Sequence, residues 1–241
     1  MELDYADIVT SHACNGHCPF CIDKFVHTSG TPISVETVGK FLEVLKKRID
    51  KPLEILLLGG DPSVLAEDRL IAICNKIHEY GFKALMSTNG ILKDKIIRLL
   101  PYFDSVQITA HNDEEIDFWR LYADKINIKW SGDMLFNYKA FKHFIKYSKG
   151  FSRRSVSMYF KPDFTELCTD EKIWKKLNKL DWKRNGSYEY AFYKGVRFKK
   201  GIHGETNIID EPCVPKVYPN GNYNKTWNNE DLDDYLTNGE W

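Results

Sequence analysis

Three cysteines lie close together near the start of the sequence. Cys14, Cys18 and Cys21 form a CxxxCxxC pattern directly after a strand-like run at 5–11. A closed structural zinc site has four nitrogen or sulfur ligands, whereas three thiolates on one short loop leave a metal position for a ligand that is not protein. The spacing therefore predicts a metal centre with an open position at which chemistry takes place.

Polar segments follow the next three strand-like runs in the same way. They are Gly-Gly-Asp-Pro at 59–62, Ser-Thr-Asn-Gly at 87–90 and Thr-Ala-His-Asn at 109–112. In barrels and open parallel α/β sheets, ligands bind at the carboxyl ends of the strands. We therefore expect these segments and the cysteine loop to form one site.

The elements that position these loops alternate between strand-like and helix-like segments. Each apolar run is followed by a stretch with apolar residues at helical spacing, which indicates a parallel sheet with crossover helices. Six such units extend to about residue 180. The sequence thus predicts an α/β fold, a partial (β/α)6 barrel over 1–180, with an irregular C-terminal extension at 181–241 that covers the barrel mouth.

The composition limits the classes of protein to consider. A chain of 241 residues with 43% hydrophobic content suits one large α/β domain. Six cysteines are too few for a disulfide scaffold, and there is no apolar N-terminal leader or membrane-spanning apolar run, so we expect a cytoplasmic protein without membrane association. The 34 basic residues balance 34 acidic residues, so no net charge attracts the chain to nucleic acid.

The three motifs, in this order along the chain, resemble those of the radical S-adenosylmethionine (radical SAM) superfamily: CxxxCxxC, a GGEP-like segment in which Asp61 replaces the usual glutamate, and TNG. The resemblance implies that Cys14, Cys18 and Cys21 hold a [4Fe-4S] cluster, and that the iron without a cysteine chelates S-adenosylmethionine. It also implies an electron donor such as flavodoxin or ferredoxin. One electron then splits the cofactor into methionine and a 5′-deoxyadenosyl radical, which takes a hydrogen atom from the substrate.

The resemblance further implies which residues contact the cofactor. The predicted cofactor-binding residues are Phe20, Gly59, Gly60, Asp61, Pro62, Ser87, Thr88, Asn89, Thr109 and Ser131. The glycines lack a Cβ, so we expect their backbone to approach the ligand closely, and Asp61 adds a charge partner for its ammonium group. At the same rim, His111 and Lys161 are the candidate catalytic residues, for proton transfer or substrate binding.

Other interpretations of the cysteines stay open. A zinc site with His17 or Cys213 as the fourth ligand, or a thiol-disulfide pair in the Cys18–Cys21 segment, uses the same residues. Neither accounts for the Gly-Gly-Asp-Pro segment. The corresponding alternative function is a non-enzymatic zinc-binding or iron-sulfur-binding regulatory protein on a related scaffold. Cys74 lies on the apolar face of a predicted helix, so we expect a packed core thiol.

The sequence leaves two substrate classes open. The segment around Cys213 resembles the start of the cysteine-rich tail of peptide-modifying radical SAM enzymes, which favours a peptide or protein substrate. Residues 139–200 contain 17 Lys or Arg against 6 Asp or Glu, with aromatic residues between them, a pattern also typical of surfaces that bind nucleotides or nucleic acid. We interpret these aromatics first as helix core positions and the lysines as a solvated face.

Overall fold

The structure is a computed structural model that describes residues 5–18, 30–131, 136–158, 170–185, 188–201, 215–221 and 223–224. The chain forms two compact units. The first consists of Met1–Val106 with Cys213–Trp241, and the second of Gln107–Pro212. The residues that follow the predicted barrel are therefore divided between the two units.

The strands among the described residues are, in chain order, β1 (Tyr5–Ser11), β2 (Glu54–Gly59), β3 (Lys83–Thr88), β4 (Ser105–Ala110), β5 (Ile126–Ser131), β6 (Arg154–Met158), β7 (Lys183–Asn185), β8 (Tyr188–Tyr193), β9 (Val196–Gly201), β10 (Lys216–Val217) and β11 (Tyr223–Asn224). The α-helices are α1 (Val35–Arg48), α2 (Glu67–Glu79), α3 (Lys93–Leu99), α4 (Asp113–Trp119), α5 (Tyr138–Tyr147) and α6 (Glu171–Leu177). Each of β1 to β6 is followed by one of these helices, which confirms the six predicted strand-helix units.

The sheet of the first unit is built around β1. This strand pairs in parallel with β2, and β2 pairs in parallel with β3. On its other side β1 pairs in parallel with β10, and β11 is antiparallel to β10. The order is therefore β11-β10-β1-β2-β3-β4, with β4 crossing the division between the units.

A buried ion pair ties the C-terminal segment to β1. Lys216 Nζ lies 3.6 Å from Asp7 Oδ2, the two residues are register partners, and both are buried. Close by, the ring of Tyr218 stacks against that of His12 with a centroid distance of 6.5 Å. These contacts place the segment at 215–218 beside the start of the cysteine loop.

Helix α1 illustrates how the local sequence sets the elements of this unit. Ser34 caps the helix, because its side chain accepts a hydrogen bond from the backbone of Thr37 at 3.0 Å. The helix buries one face, formed by Val38, Phe41, Leu42 and Leu45. Burial of such a face supplies most of the stability of a helix of this length.

The sheet of the second unit has the order β4-β5-β6-β9-β8-β7. Strands β5, β6 and β9 are parallel, whereas β8 is antiparallel to β9 and β7 is antiparallel to β8. With β11 and β7 as edge strands, the described sheet is mostly parallel and does not close. The predicted fold class, a partial barrel of the α/β type, is confirmed.

The stretch after residue 181 differs from the irregular structure that the sequence predicted. Residues 183–201 form β7, β8 and β9, and the last two are joined by a tight turn at Lys194 and Gly195, with φ of 50° and 76°. Consecutive positive φ values are typical of the two-residue hairpin turn. Side chains in β8 and β9 alternate between the two faces of the sheet with a period of two residues, and a search for helical spacing does not detect this period.

Several aromatic residues form the core of the second unit. The ring of Trp130 packs against Phe136 and Phe144 at centroid distances of 5.1 and 6.1 Å, and Phe141 packs against Phe198 at 5.8 Å. All five are buried. This confirms the core interpretation for Phe141 and Phe144.

Helix α6 is capped by Asp170, whose carboxylate accepts a hydrogen bond from the backbone of Lys172 at 2.9 Å. No helix in the described part of the chain has the length and apolar content needed to cross a membrane.

Cys74 is buried in α2, as the sequence predicted. Burial raises the pKa of its thiol to about 12, and the nearby carboxylate of Asp104 adds to the rise. Since only the thiolate reacts readily with alkylating reagents, Cys74 is protected twice, by protonation and by lack of access.

We therefore predict that iodoacetamide at about pH 8 leaves Cys74 unmodified in the native chain and modifies it in urea. Mass spectrometry of the peptide that contains Cys74 measures this. Exposed Cys14, in the chain prepared without metal, is the control that reacts. Modification of the two residues at equal rates would contradict the buried placement.

Candidate active site

The cysteine loop follows β1, and the structure describes it as far as Cys18. Cys14 is exposed and Cys18 is half-buried. The backbone N–H of Gly16 donates to Cys14 Sγ at 3.2 Å. A Cβ on Gly16 would lie 3.5 Å from the Cys14 sulfur and 4.0 Å from the Cys18 sulfur, so both sulfurs are close to this glycine.

The glycines after β2 allow this loop to approach. The backbone N–H groups of Gly60 and Asp61 donate to the carbonyls of Ser11 and Ala13, both at 2.8 Å. A Cβ on Gly60 would lie 2.2 Å from the Ala13 oxygen, and one on Gly59, which has φ of +123°, would lie 2.2 Å from the Ser11 oxygen. These two glycines thus allow the backbone after β2 to lie close to the cysteine loop, and their approach to the cofactor stays a prediction.

The carboxylate of Asp61 joins the second loop to the third. Its Oδ1 accepts from the backbone of Ser63 and from Thr88 Oγ1, both at 2.8 Å. Its Oδ2 accepts from the backbone of Asn89 at 2.8 Å and from Thr88 Oγ1 at 3.0 Å. Asp61 is 1% exposed, and these hydrogen bonds use both oxygens. Pro62 then begins a short 3-10 turn that Asp61 caps.

Asn89 extends the connection back to the cysteine loop. Its Nδ2 donates to Asn15 Oδ1 at 2.8 Å and lies 3.9 Å from Cys14 Sγ, and its Oδ1 accepts from the backbone of Ile91 at 3.0 Å. The sequence analysis does not identify Asn15 as a site residue, because its position between two cysteines is the only feature that distinguishes it. The three loops therefore form one hydrogen-bonded block.

The other predicted residues are placed as follows. Ser87 is half-buried in β3 beside Thr88, whereas Thr109 near the end of β4, Ser131 at the end of β5 and His111 belong to the second unit. Cys21, Phe20 and Lys161 lie outside the described residues, so their predicted roles stay predictions.

His111 has an acidic neighbour that the sequence analysis missed. Glu115 Oε2 accepts from the backbone of His111 at 2.8 Å and lies 3.6 Å from its Nδ1. Glu115 Oε1 accepts from Asn112 Nδ2 at 3.0 Å, and Asn112 in turn caps α4. Asn112 and Glu115 are spaced as in a capping box, the signal by which Glu115 could have been found.

The comparison with protein families matches this architecture. The sequence model of the radical SAM superfamily matches residues 8–140, more than half of the chain. The chain therefore belongs to the radical SAM superfamily. Its matched region begins in β1 and contains the cysteine loop, the Gly-Gly-Asp-Pro segment and the Thr-Asn-Gly segment. A search of curated proteins gives no significant match.

Solved structures share the fold at low sequence identity. Streptococcus suis SuiB bound to S-adenosylmethionine is 12% identical with a TM-score of 0.59, over 99% of this chain and 62% of that one. SuiB bound to the precursor peptide SuiA is 12% identical with a TM-score of 0.60, over 98% of this chain and 63% of that one. Native anSMEcpe with AdoMet and the Cp18Cys peptide is 14% identical with a TM-score of 0.51, over 64% of this chain and 50% of that one. The chain thus spans about half to two thirds of the length of these proteins.

The cofactors of this family are a [4Fe-4S] cluster and S-adenosylmethionine, and the described residues suit them. Two cysteine sulfurs lie on one loop, and the Gly16 and Asn89 N–H groups are directed at the Cys14 sulfur. N–H donors favour the thiolate form, which is the form that ligates iron. The donor set is therefore appropriate for cluster ligation.

We predict that Gly60→Ala prevents assembly of this block, because its Cβ would overlap the Ala13 carbonyl. Iron and sulfide content after anaerobic reconstitution measures the effect, and we expect most of the cluster to be lost. Gly39→Ala, within α1, is the matched control, because the nearest atom to its Cβ would be Lys76 Cδ of α2 at 3.9 Å. We expect unchanged iron and about 0.5–1 kcal/mol of added stability. Full cluster loading of the Gly60 variant would contradict the packing described.

Proposed function

We propose that this chain is an enzyme that reductively cleaves S-adenosylmethionine and acts on a peptide or protein segment. Cys14, Cys18 and Cys21 are the proposed cluster ligands. The observation that carries the proposal is the block of three loops, in which Asp61 fixes Asn89 and Asn89 contacts the cysteine loop. Such a block would hold Cys14 and Cys18 in place before the metal binds.

Cys14, Cys18 and Cys21 would hold the cluster, which when bound would supply the one-electron chemistry that cleaves S-adenosylmethionine and removes hydrogen from the substrate. The residues of the chain would bind the cluster and S-adenosylmethionine and orient them. The N–H groups of Gly16 and Asn89 stabilise negative charge on the Cys14 sulfur. Asp61 keeps Thr88 and Asn89 at the carboxyl end of β3, where we propose that Ser87, Thr88 and Asn89 bind the amino-acid end of the cofactor.

His111 is the proposed proton-transfer residue. A carboxylate 3.6 Å from Nδ1 favours the tautomer with the proton on that nitrogen, which leaves Nε2 as an acceptor. Glu115 is in this view a positioning residue. For the electron donor we propose a small redox protein such as flavodoxin or ferredoxin, and for the compartment a reducing cytoplasm.

The peptide substrate is supported by two observations. SuiB with its precursor peptide and anSMEcpe with a peptide share the fold of this chain. The sequence around Cys213 also resembles the tail of peptide-modifying members of the family. At these identities the likeness extends to the fold, so peptide recognition is a proposal for this chain.

The test is anaerobic reconstitution with iron and sulfide, then reduction in the presence of S-adenosylmethionine. We expect 5′-deoxyadenosine and methionine from the wild-type chain, measured by chromatography. Cys18→Ala should abolish both the cluster absorbance and the products. Cys74→Ala removes a thiol elsewhere in the same unit, so it should keep cluster and cleavage.

Stoichiometric zinc without cleavage would contradict the proposal and favour the non-enzymatic regulatory alternative. A cluster that forms equally well in the Cys18 variant would contradict the ligand assignment.

A further inference from the structure

The sheet of the second unit has two different faces. Successive side chains of a strand point to opposite faces. Phe198 of β9 is buried and packs on Phe141 of α5, so this face is the core. The neighbouring residues Arg197 and Lys199 therefore lie on the opposite face. There Arg197 is exposed and Lys199 half-buried.

Strand register assembles further residues on this opposite face. Arg197 is the register partner of Ser155 in β6 and of Phe192 in β8, and Ser155 is in turn the partner of Lys129 in β5. Lys199 is the partner of Tyr190 in β8. We call this surface the basic sheet face and define it by Lys129, Ser155, Tyr190, Phe192, Arg197 and Lys199.

The charge of the basic sheet face has one sign. Glu189 is the single acidic residue in strands β5 to β9 as described, and it lies on the other face, 3.1 Å from Lys200. The six defining residues therefore include three cations and no carboxylate, and Lys183 of β7, the register partner of Tyr190, adds a fourth cation to this face. Phe192 is 61% exposed, which is unusual for a ring of this size and is typical of contact surfaces.

We propose that the basic sheet face binds an extended acidic segment of the peptide substrate, with carboxylates at alternate positions. This inference rests on the proposed function and names the class of peptide. Arg197 and Lys199 are two residues apart on β9, a separation of about 6.6 Å, which is also the repeat of same-side residues in an extended peptide. Two alternate carboxylates thus meet two cations, while the side chains between them point away from the sheet.

Nucleic acid fits this face less well. The rings of Tyr190 and Phe192 are perpendicular, at 89° and 6.1 Å, so they do not form the parallel platforms on which successive bases stack. Serine at the position between Lys129 and Arg197 provides a short side chain with a hydroxyl, which leaves room for a peptide backbone. Charge and shape together favour the acidic peptide.

The test uses the full reconstituted chain and fluorescence anisotropy with three labelled probes. These are a short peptide with Glu at alternate positions and Leu between them, the same peptide with Gln in place of Glu, and a single-stranded oligothymidylate of similar length. We expect the Glu peptide to bind about tenfold tighter than the Gln peptide. Lys199→Gln and Arg197→Gln should each weaken its binding by about tenfold.

Lys200→Gln is the matched control, because Lys200 follows Lys199 in the same strand but lies on the other face with Glu189. It should change the affinity by less than about twofold. Circular dichroism of each variant identifies any loss of folding. If the Lys199 variant misfolds, the Arg197→Gln variant still decides the test, because Arg197 is exposed.

The inference is overturned if the Gln peptide binds as tightly as the Glu peptide, if the Lys199 and Lys200 variants weaken binding equally, or if oligothymidylate binds more tightly than either peptide. Cleavage of S-adenosylmethionine by the wild-type chain is measured separately. If the chain prefers the Glu peptide but does not cleave S-adenosylmethionine, only the proposed function is overturned. If it cleaves S-adenosylmethionine but does not prefer the Glu peptide, only the inference about the basic sheet face is overturned.

Discussion

The buried carboxylate of Asp61 is the interaction on which the arrangement of the site depends. Three donors serve its two oxygens: the backbone N–H groups of Ser63 and Asn89, and the Thr88 hydroxyl, which lies within hydrogen-bond distance of both oxygens. A charged acceptor at 1% exposure is stable only where donors replace the water it has lost, and the chain supplies them from the loops after β2 and β3. Asp61 thereby converts two separate loops into one rigid support.

The cysteine loop depends on this support from two directions. The backbone after β2 pairs with it through Gly60 and Asp61, and the side chain of Asn89 reaches it from the end of β3. The glycines are required because backbone meets backbone at distances that exclude a Cβ. The motifs of the family are in this chain as much a device for shaping the cysteine loop as a set of ligand contacts.

The sequence was sufficient for the strand-helix order, since each apolar run and its helix are local patterns. It also located the motif loops, because parallel strands bring their carboxyl ends to one edge. It does not predict which residues of the chain each motif residue contacts: Asp61 accepts hydrogen bonds from Ser63, Thr88 and Asn89, and its contact with the cofactor stays a prediction. Such contacts depend on loop conformation, and so does the contact between Asn15 and Asn89. The hairpin of β8 and β9 has no helical spacing by which it could be predicted.

The central claim is that the Asp61 carboxylate forms the site before the metal binds. The most direct measurement compares iron, sulfide and visible absorbance after reconstitution of Asp61→Asn and wild type. The substitution replaces one acceptor oxygen with an NH2 group, which then faces a donor of the chain at a cost of about 1–3 kcal/mol. We therefore predict that most of the cluster is lost although every cysteine is intact. Asp68→Asn, at an exposed carboxylate of the same unit, should load fully. Full loading of the Asp61 variant would contradict the account.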